Sequence, residues 1–344
     1  MYEFLNSKNA GDYERFVEAH ENGSFMQSLA WANVKVNWDG EAVISRDERG
    51  KIRGACLVLI RKIPIVGCAF LYAPRGPVCD YSDGEALRDI MAGIDVLAKK
   101  HRAFAMMCDP PLDDELNIAA MERAGFSYRE VPEERQIQCR FNYVLELDGK
   151  TLSDIRAGFK SEYRNRISKA QRRGAWCEEL CGEAAIGGLG DFYELMIQTG
   201  RRDGFPIRAK EYFAQFLRAL GEHARLYMCY AEIGGVKTPL SGAIAVNYGK
   251  RSVYVYGASS DNNRELYPSY LMQWTMISAA QERGCSVYDF GGIPFYRDSS
   301  RREYGMYRFK KGFGGKIATY AGQFFKVYRP FLERAASIFS AVSR

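Results

Sequence analysis

Asp89-Ile90-Met91-Ala92-Gly93-Ile94-Asp95-Val96-Leu97-Ala98-Lys99-Lys100, followed by Phe104-Ala105-Met106-Met107-Cys108 and then Asp109, reads as a helix, an apolar strand and a closing acid. The second half repeats that order. Residues 270–283 read as a helix, 285–288 as a strand, and Asp289 closes it. Two turns match as well: Asp47-Glu48-Arg49-Gly50-Lys51 leads into a β-rich run over 52–60, and Ile233-Gly234-Gly235-Val236-Lys237 leads into 241–246. Both of these strands carry Gly-Ala near their start. The pattern predicts a duplicated α+β unit, an α/β chain of two tandem domains packed directly on each other. Its 344 residues, 47% apolar, are enough for two cores of roughly 150 residues each. The boundary is expected at Leu147-Asp148-Gly149-Lys150, giving domains over 1–147 and 148–321 and a C-terminal segment over 322–344, with a groove between the domains as the default ligand site.

Composition narrows the function. A net charge of +6 is modest for this length, so affinity for nucleic acid or phosphate has to come from local clusters. Nine cysteines at irregular spacing, without a Cys-x-x-Cys pair, support neither a disulfide framework nor a zinc site and fit reduced thiols in the cytoplasm. The start, Met1-Tyr2-Glu3-Phe4-Leu5-Asn6, lacks the basic region and apolar run of a signal peptide. The uncharged run over residues 63–74 is about half a membrane span and is broken by Pro64 and Gly67. With only His20, His101 and His223, and none beside a convincing Ser or Cys motif, nucleophilic catalysis has little support. No cofactor or metal is expected.

The clusters lie in the second half. From Arg156 to Arg173 there are seven basic residues against one acid, Glu162, and Arg156, Lys160 and Arg164 recur every four residues, which on a helix is one side. A solvated helix face and a phosphate-facing rail for RNA both account for it. Tyr288-Asp289-Phe290-Gly291-Gly292-Ile293-Pro294 leads into a cationic aromatic loop ending Tyr307-Arg308-Phe309-Lys310-Lys311-Gly312-Phe313-Gly314-Gly315. Rings interleaved with cations suit single-stranded nucleic acid, and buried aromatics of a hairpin would read the same way. The glycines lack the spacing and Ser/Thr of a P-loop. Arg208 and Tyr212, four apart at the start of a helical pattern over 209–220, offer a guanidinium and a phenol to one ligand. Asp109 and Asp289 end strands, where an acid either faces a cleft or caps a turn.

Taken together, these residues resemble the FemABX family, the aminoacyl-tRNA-dependent transferases that build peptidoglycan cross-bridges. The resemblance spans nearly the whole chain, and the Tyr-Asp-Phe-Gly-Gly-Ile block with Tyr-Arg-Phe-Lys-Lys-Gly-Phe-Gly is its most specific part. Supporting it are residues 27–35, Asp109-Pro110, the basic helix, Arg208 with Tyr212, and residues 268–274. It implies two GNAT-like acyltransferase domains. No heptad run for a coiled-coil arm is present, so the chain looks like the armless FemX type. By resemblance Lys35 and Arg208 hold the precursor's diphosphate, with Tyr212 and either Tyr254 or Tyr256 completing the pocket. Lys310, with Lys311 as second candidate, matches the family lysine at the aminoacyl-tRNA end, and Asp109 an acid beside the acceptor amine. Lys160, Arg164, Lys169 and Lys311 are the candidate tRNA contacts.

The implied partners are aminoacyl-tRNA and a UDP-linked or lipid-linked MurNAc-pentapeptide, with the chain acting as a monomer in the cytoplasm. The chemistry fits the missing triad: an aminoacyl ester is already activated, so an amine held about 3 Å from its carbonyl needs positioning, proton removal and charge stabilisation. Rival readings are an acetyl-CoA-dependent N-acetyltransferase, which needs a pyrophosphate loop not found here, and a non-catalytic RNA-binding protein. The tail, with Phe331, Leu332, Ala335, Ala336, Ile338, Phe339 and Val342, reads as an amphipathic helix that packs on the first domain or touches the inner face of the membrane peripherally.

Overall fold

A computed structural model describes residues 1–112 and 115–334. The chain divides into two compact units, residues 1–140 with 319–344, and residues 141–318. Each is built on one mixed sheet.

In the first unit, strands Asp39–Arg46, Ile52–Ile63 and Cys68–Ala73 form an antiparallel meander. Helix Gly84–Lys100 then crosses over, and Ala103–Cys108 returns parallel to Cys68–Ala73. The helix starts where the Asp83 carboxylate accepts the N–H groups of Glu85 and Ala86. Its stripe of Leu87, Ile90, Ile94 and Leu97 is buried against the sheet. In the second unit, strands Ala224–Ile233, Val236–Tyr248 and Arg251–Ser259 form the meander, helix Pro268–Glu282 crosses over, and Val287–Gly292 returns parallel to Arg251–Ser259. The predicted duplication is thus one βαβ crossover behind one meander, twice.

The expected boundary shifts. Strand Phe141–Glu146 pairs with Val287–Gly292 in the second sheet, and unit two begins there rather than after Leu147. Strand Gln323–Val327 lies in the first sheet between Ala103–Cys108 and the edge strand Ser127–Arg129, so the C-terminal segment supplies a strand paired on both sides. Tail residues Ala335, Ala336, Ile338, Phe339 and Val342 lie outside the described residues, whereas Leu332 packs beside Phe104 and Cys68.

Two further expectations are corrected. The basic segment is not one helix: Leu152–Ala157 ends at Gly158, and a second helix, Ser161–Arg172, begins after Lys160, whose extended backbone (ψ 141°) and N–H bond to the Gly312 carbonyl break the first. The cationic aromatic loop contains a helix, Tyr304–Lys311. Beyond it the glycines meet a steric demand. A Cβ on Gly312 would lie 2.0 Å from the Tyr163 ring, and one on Gly315 (φ 106°) 2.3 Å from the Val144 carbonyl. Phe313 is fully buried among Phe159, Tyr163, Phe290 and Phe309, so this ring belongs to the core, not to a base-stacking surface.

Among the described residues no helix is long and apolar enough to cross a membrane, none exceeds the 22 residues of Gly182–Asp203, and no group of acids, His and Cys could hold a metal ion.

Candidate active site

In the first unit, strand Ala103–Cys108 delivers Asp109 immediately past its end, where it is 2% exposed. One carboxylate oxygen accepts the Tyr72 hydroxyl at 2.7 Å from the neighbouring parallel strand, and the other accepts the Arg75 backbone N–H at 2.7 Å. Arg75 adopts φ 54°, a left-handed conformation that costs an L-residue energy. Its guanidinium bonds the Cys139 carbonyl at 3.0 Å and lies 4.6 Å from the Tyr320 ring. Burial pushes the Asp109 carboxyl up, and the Arg75 charge and the hydrogen bonds offset only part of that. The Tyr72 phenol is pushed well above its usual value by burial and by the neighbouring carboxylate. A carboxylate with raised proton affinity and two fixed donors can take a proton from an amine without turning away. Tyr72 and Arg75 were missed in the sequence; the turn Ala73-Pro74-Arg75-Gly76-Pro77 was their signal. Lys35 follows helix Leu29–Val34, capped by Ser28, and its ammonium stands 4.5 Å over the Trp31 ring.

In the second unit, Arg208 precedes its helix, Lys210–Leu220, and so does not share a helical face with Tyr212 as the spacing suggested. The two still meet, with the exposed guanidinium 5.1 Å from the Tyr212 ring. The Tyr212 hydroxyl is 3.0 Å from that of Tyr256, whose ring packs edge-on against Phe213 and Phe216. Burial and then the Tyr212 hydroxyl raise the Tyr256 phenol, while the Arg208 charge pulls it down.

Tyr254 and Tyr256 part company. Tyr256 lies opposite Ile244 and Tyr254 opposite Ala245, so Val255 is an extra residue in the ladder. Instead of sharing a face at spacing two, the tyrosines point to opposite sides. Tyr254 joins the core that includes Ala245, Met272 and Tyr288, its hydroxyl over Gly257 and its phenol pushed up to about 12 by burial. Only Tyr256 faces Tyr212.

Helix Tyr304–Lys311 separates the two lysines. Lys310 is 3% exposed and donates to the Gly292 carbonyl at 2.7 Å. Lys311 is exposed, with its ammonium 5.5 Å from the Tyr307 ring. Asp289 sits within strand Val287–Gly292 rather than after it, and is buried. It accepts from Asn142 at 3.1 Å, from Arg251 at 3.1 Å and from the Gly291 N–H at 2.7 Å. That last bond fixes the turn at Gly291 (φ 78°), and the turn aims the Gly292 carbonyl at Lys310. Asp289 therefore acts through the backbone, and its partners Asn142 and Arg251 have no local sign in the sequence.

Several cations of the basic segment hold the fold. The Arg164 guanidinium donates to the carbonyls of Ala157 and Phe159, where the first helix ends. Arg166 donates to the Tyr270 hydroxyl, and Arg156 to Ser168 at 2.8 Å. Lys160 is exposed, and Lys169 stands 5.4 Å from the Tyr267 ring. Tyr267 and Tyr270, with Arg202, Arg264, Ser260 and Phe309, line a cleft of about 490 Å³ in this unit. Phe309 directly precedes Lys310, so the cleft adjoins that lysine's helix.

The chain is similar in sequence to lipid II:glycine glycyltransferase of Staphylococcus haemolyticus, 28% identical over 383 residues that span 91% of this chain and 90% of that protein. The Staphylococcus aureus protein of the same name is 28% identical over 386 residues, with the same coverage. Among solved structures, a crystal structure of FemX matches with a TM-score of 0.89 at 25% identity, covering 97% of this chain and 99% of that one. A tandem GNAT protein from the clavulanic acid pathway shares the fold alone, with a TM-score of 0.55 at 11% identity, covering 95% of this chain and 98% of that one. The FemAB family model matches residues 9–235 and 229–340. With both sheets, the acid-ended strand and the lysine helix accounted for within that match, the chain belongs to the FemAB family.

Proposed function

We infer that this chain is an aminoacyltransferase that moves an amino acid from aminoacyl-tRNA to the stem-peptide amine of a peptidoglycan precursor. The observation that carries the reading is Lys310, a buried ammonium held by the Gly292 carbonyl beside an aromatic cleft. Its charge is fixed in place before any substrate arrives, which is what a developing oxyanion needs.

Each residue then has a task. The acceptor amine loses a proton to Asp109, and its nitrogen attacks the ester carbonyl. Lys310 stabilises the negative oxygen that forms. As the carbonyl re-forms, the bond to the ribose oxygen breaks, that oxygen leaves as a hydroxyl by taking the second proton released from the attacking nitrogen, and Asp109 returns its proton to solvent. A new amide and a deacylated tRNA result. Lys35 and Arg208 hold the diphosphate of the precursor, Arg208 braced by Tyr212 and Tyr256. The cleft of Tyr267, Tyr270 and Phe309 takes the terminal nucleotide by stacking, while Lys160, Lys169 and Lys311 meet tRNA phosphates. Arg164, whose Nη1 alone serves two carbonyls of the fold, joins them as a candidate phosphate contact. The reaction takes place in the cytoplasm, at the inner face of the membrane when the acceptor is lipid-linked.

Purified protein incubated with a mixed pool of charged tRNAs and either the nucleotide-linked or the lipid-linked pentapeptide precursor tests this by product mass. The expected product is heavier than the precursor by one amino-acid residue. An acetylated product formed with acetyl-CoA in place of charged tRNA would overturn the reading in favour of the N-acetyltransferase.

A further inference from the structure

Strands Ile52–Ile63 and Cys68–Ala73 join through the short helical turn Pro64–Val66, and this hairpin end is uncharged from Ile63 to Cys68. Pro64 and Val66 are exposed, Val66 by half its surface. Around the tip stand cations. Arg61 and Lys62 are exposed on one strand, and Arg102 is exposed, with a guanidinium nitrogen 3.8 Å from where a Cβ on Gly67 would be. Lys62 pairs with Asp39 at 2.6 Å, but both are more than half exposed, so the pair is screened and exchangeable.

The sheet face behind the tip is aromatic. Arg61 lies opposite Phe70 in the ladder, and Ile63 opposite Cys68. Phe70 stacks on Phe104 at 5.7 Å and meets half-buried Trp38 at 6.4 Å, while the Arg61 guanidinium is 5.6 Å from the Trp38 ring. Val36, two residues before Trp38, is 71% exposed. An aliphatic tip, a tryptophan at its base and a ring of Arg and Lys match, in order, the acyl boundary, the interface and the anionic headgroups of a bilayer. The feature is a projecting hairpin end rather than a groove, which suits a lipid surface better than a folded partner.

We propose that this hairpin end is the chain's contact with an anionic lipid surface. The inference rests on the transferase reading for its purpose, since a lipid-linked acceptor is met at such a surface. Lys35, one residue before Val36, then lies next to the plane in which a lipid-linked diphosphate sits.

Co-sedimentation of the full chain with vesicles of phosphatidylglycerol and phosphatidylcholine tests it without any substrate, so it can fail separately from the transferase reading. The chain should bind mixed vesicles and not pure phosphatidylcholine. Val66→Asp, and separately Arg61→Glu with Lys62→Glu, should each weaken binding about tenfold or more, with unchanged melting temperature. The proposal is overturned if the unaltered chain ignores anionic vesicles or if Val66→Asp binds as before. It is also overturned if shortening the chain after Arg334 abolishes binding, which would place the contact on the tail.

Discussion

Replacing Lys310 with Met deletes one ammonium and keeps most of the side-chain volume. In the fold, the substitution removes a charge-assisted hydrogen bond to the Gly292 carbonyl, a loss of about 1.5–3 kcal/mol. It also removes a cation that is 3% exposed, whose desolvation costs several kcal/mol. The two effects oppose each other, so stability should change by no more than about 2 kcal/mol in either direction, within a usual total of about 5–15 kcal/mol. The chain stays folded. In the reaction, loss of one preorganised donor to the oxyanion costs about 2.7–4 kcal/mol, roughly a hundred- to a thousandfold in rate. Single-turnover transfer from labelled aminoacyl-tRNA measures the rate, calorimetry with the precursor measures acceptor affinity, and a thermal melt checks the fold. The expected result is a hundredfold slower transfer with precursor affinity unchanged. A loss of less than tenfold, or a larger loss from Lys311→Met, would refute the assignment of the donor role to Lys310.

Asp109→Asn preserves the shape that meets Tyr72 and Arg75 and should abolish proton removal, whereas Asp109→Ala takes the acceptor from the Arg75 N–H, costing roughly 1–3 kcal/mol, and leaves the Tyr72 hydroxyl only its bond with Gln138. Because burial raises the folded carboxyl above its ordinary range, ionised Asp109 weakens the fold. The melting-temperature advantage of Asp109→Asn should therefore be absent at acid pH, grow as pH rises from the ordinary carboxylate range through the raised value, and then level off. Arg208→Ala should weaken precursor binding in calorimetry by about 2–4 kcal/mol, and Tyr256→Phe by less, while an equal loss from Tyr254→Phe would contradict the placement of that ring on the other face. Reversing Lys160 and Lys169 to Glu should flatten the log-log salt dependence of tRNA binding by about one unit per lost phosphate contact, and an unchanged slope would make them solvated surface.

The duplication was legible because helix, strand and closing acid are local patterns that recur with their spacing intact. The placement of Phe141–Glu146 in the second sheet was not, since strand partnership is a long-range fact that no short window holds. The extra residue at Val255 is likewise silent: Tyr254-Val255-Tyr256 reads as plain alternation, and only the pairing with Ile244 and Ala245 breaks it. Helix Tyr304–Lys311 hid behind Gly305 and alternating rings, which weaken the helical period. In the candidate site, the charged residues stood out in the sequence, but their anchors did not. Arg75 reaches Asp109 through its backbone N–H, and Asp289 acts on a glycine N–H. Neither relation depends on side-chain spacing that could be counted along the chain.

The glycines after Lys310 decide where this protein can change length. Gly312, Gly314 and Gly315 pass so close to Tyr163, Gly158 and Val144 that neither a side chain nor a spare residue fits there. On the other side, residues 297–302 are exposed. Insertions and deletions can be absorbed only upstream, between Ile293 and the lysine helix, as slack in a line tied firmly at its far end. Relatives in which that upstream stretch grows or shrinks should keep their lysine at a constant distance from the following glycines, and a library of random insertions through residues 293–318 should recover active chains only from its first half.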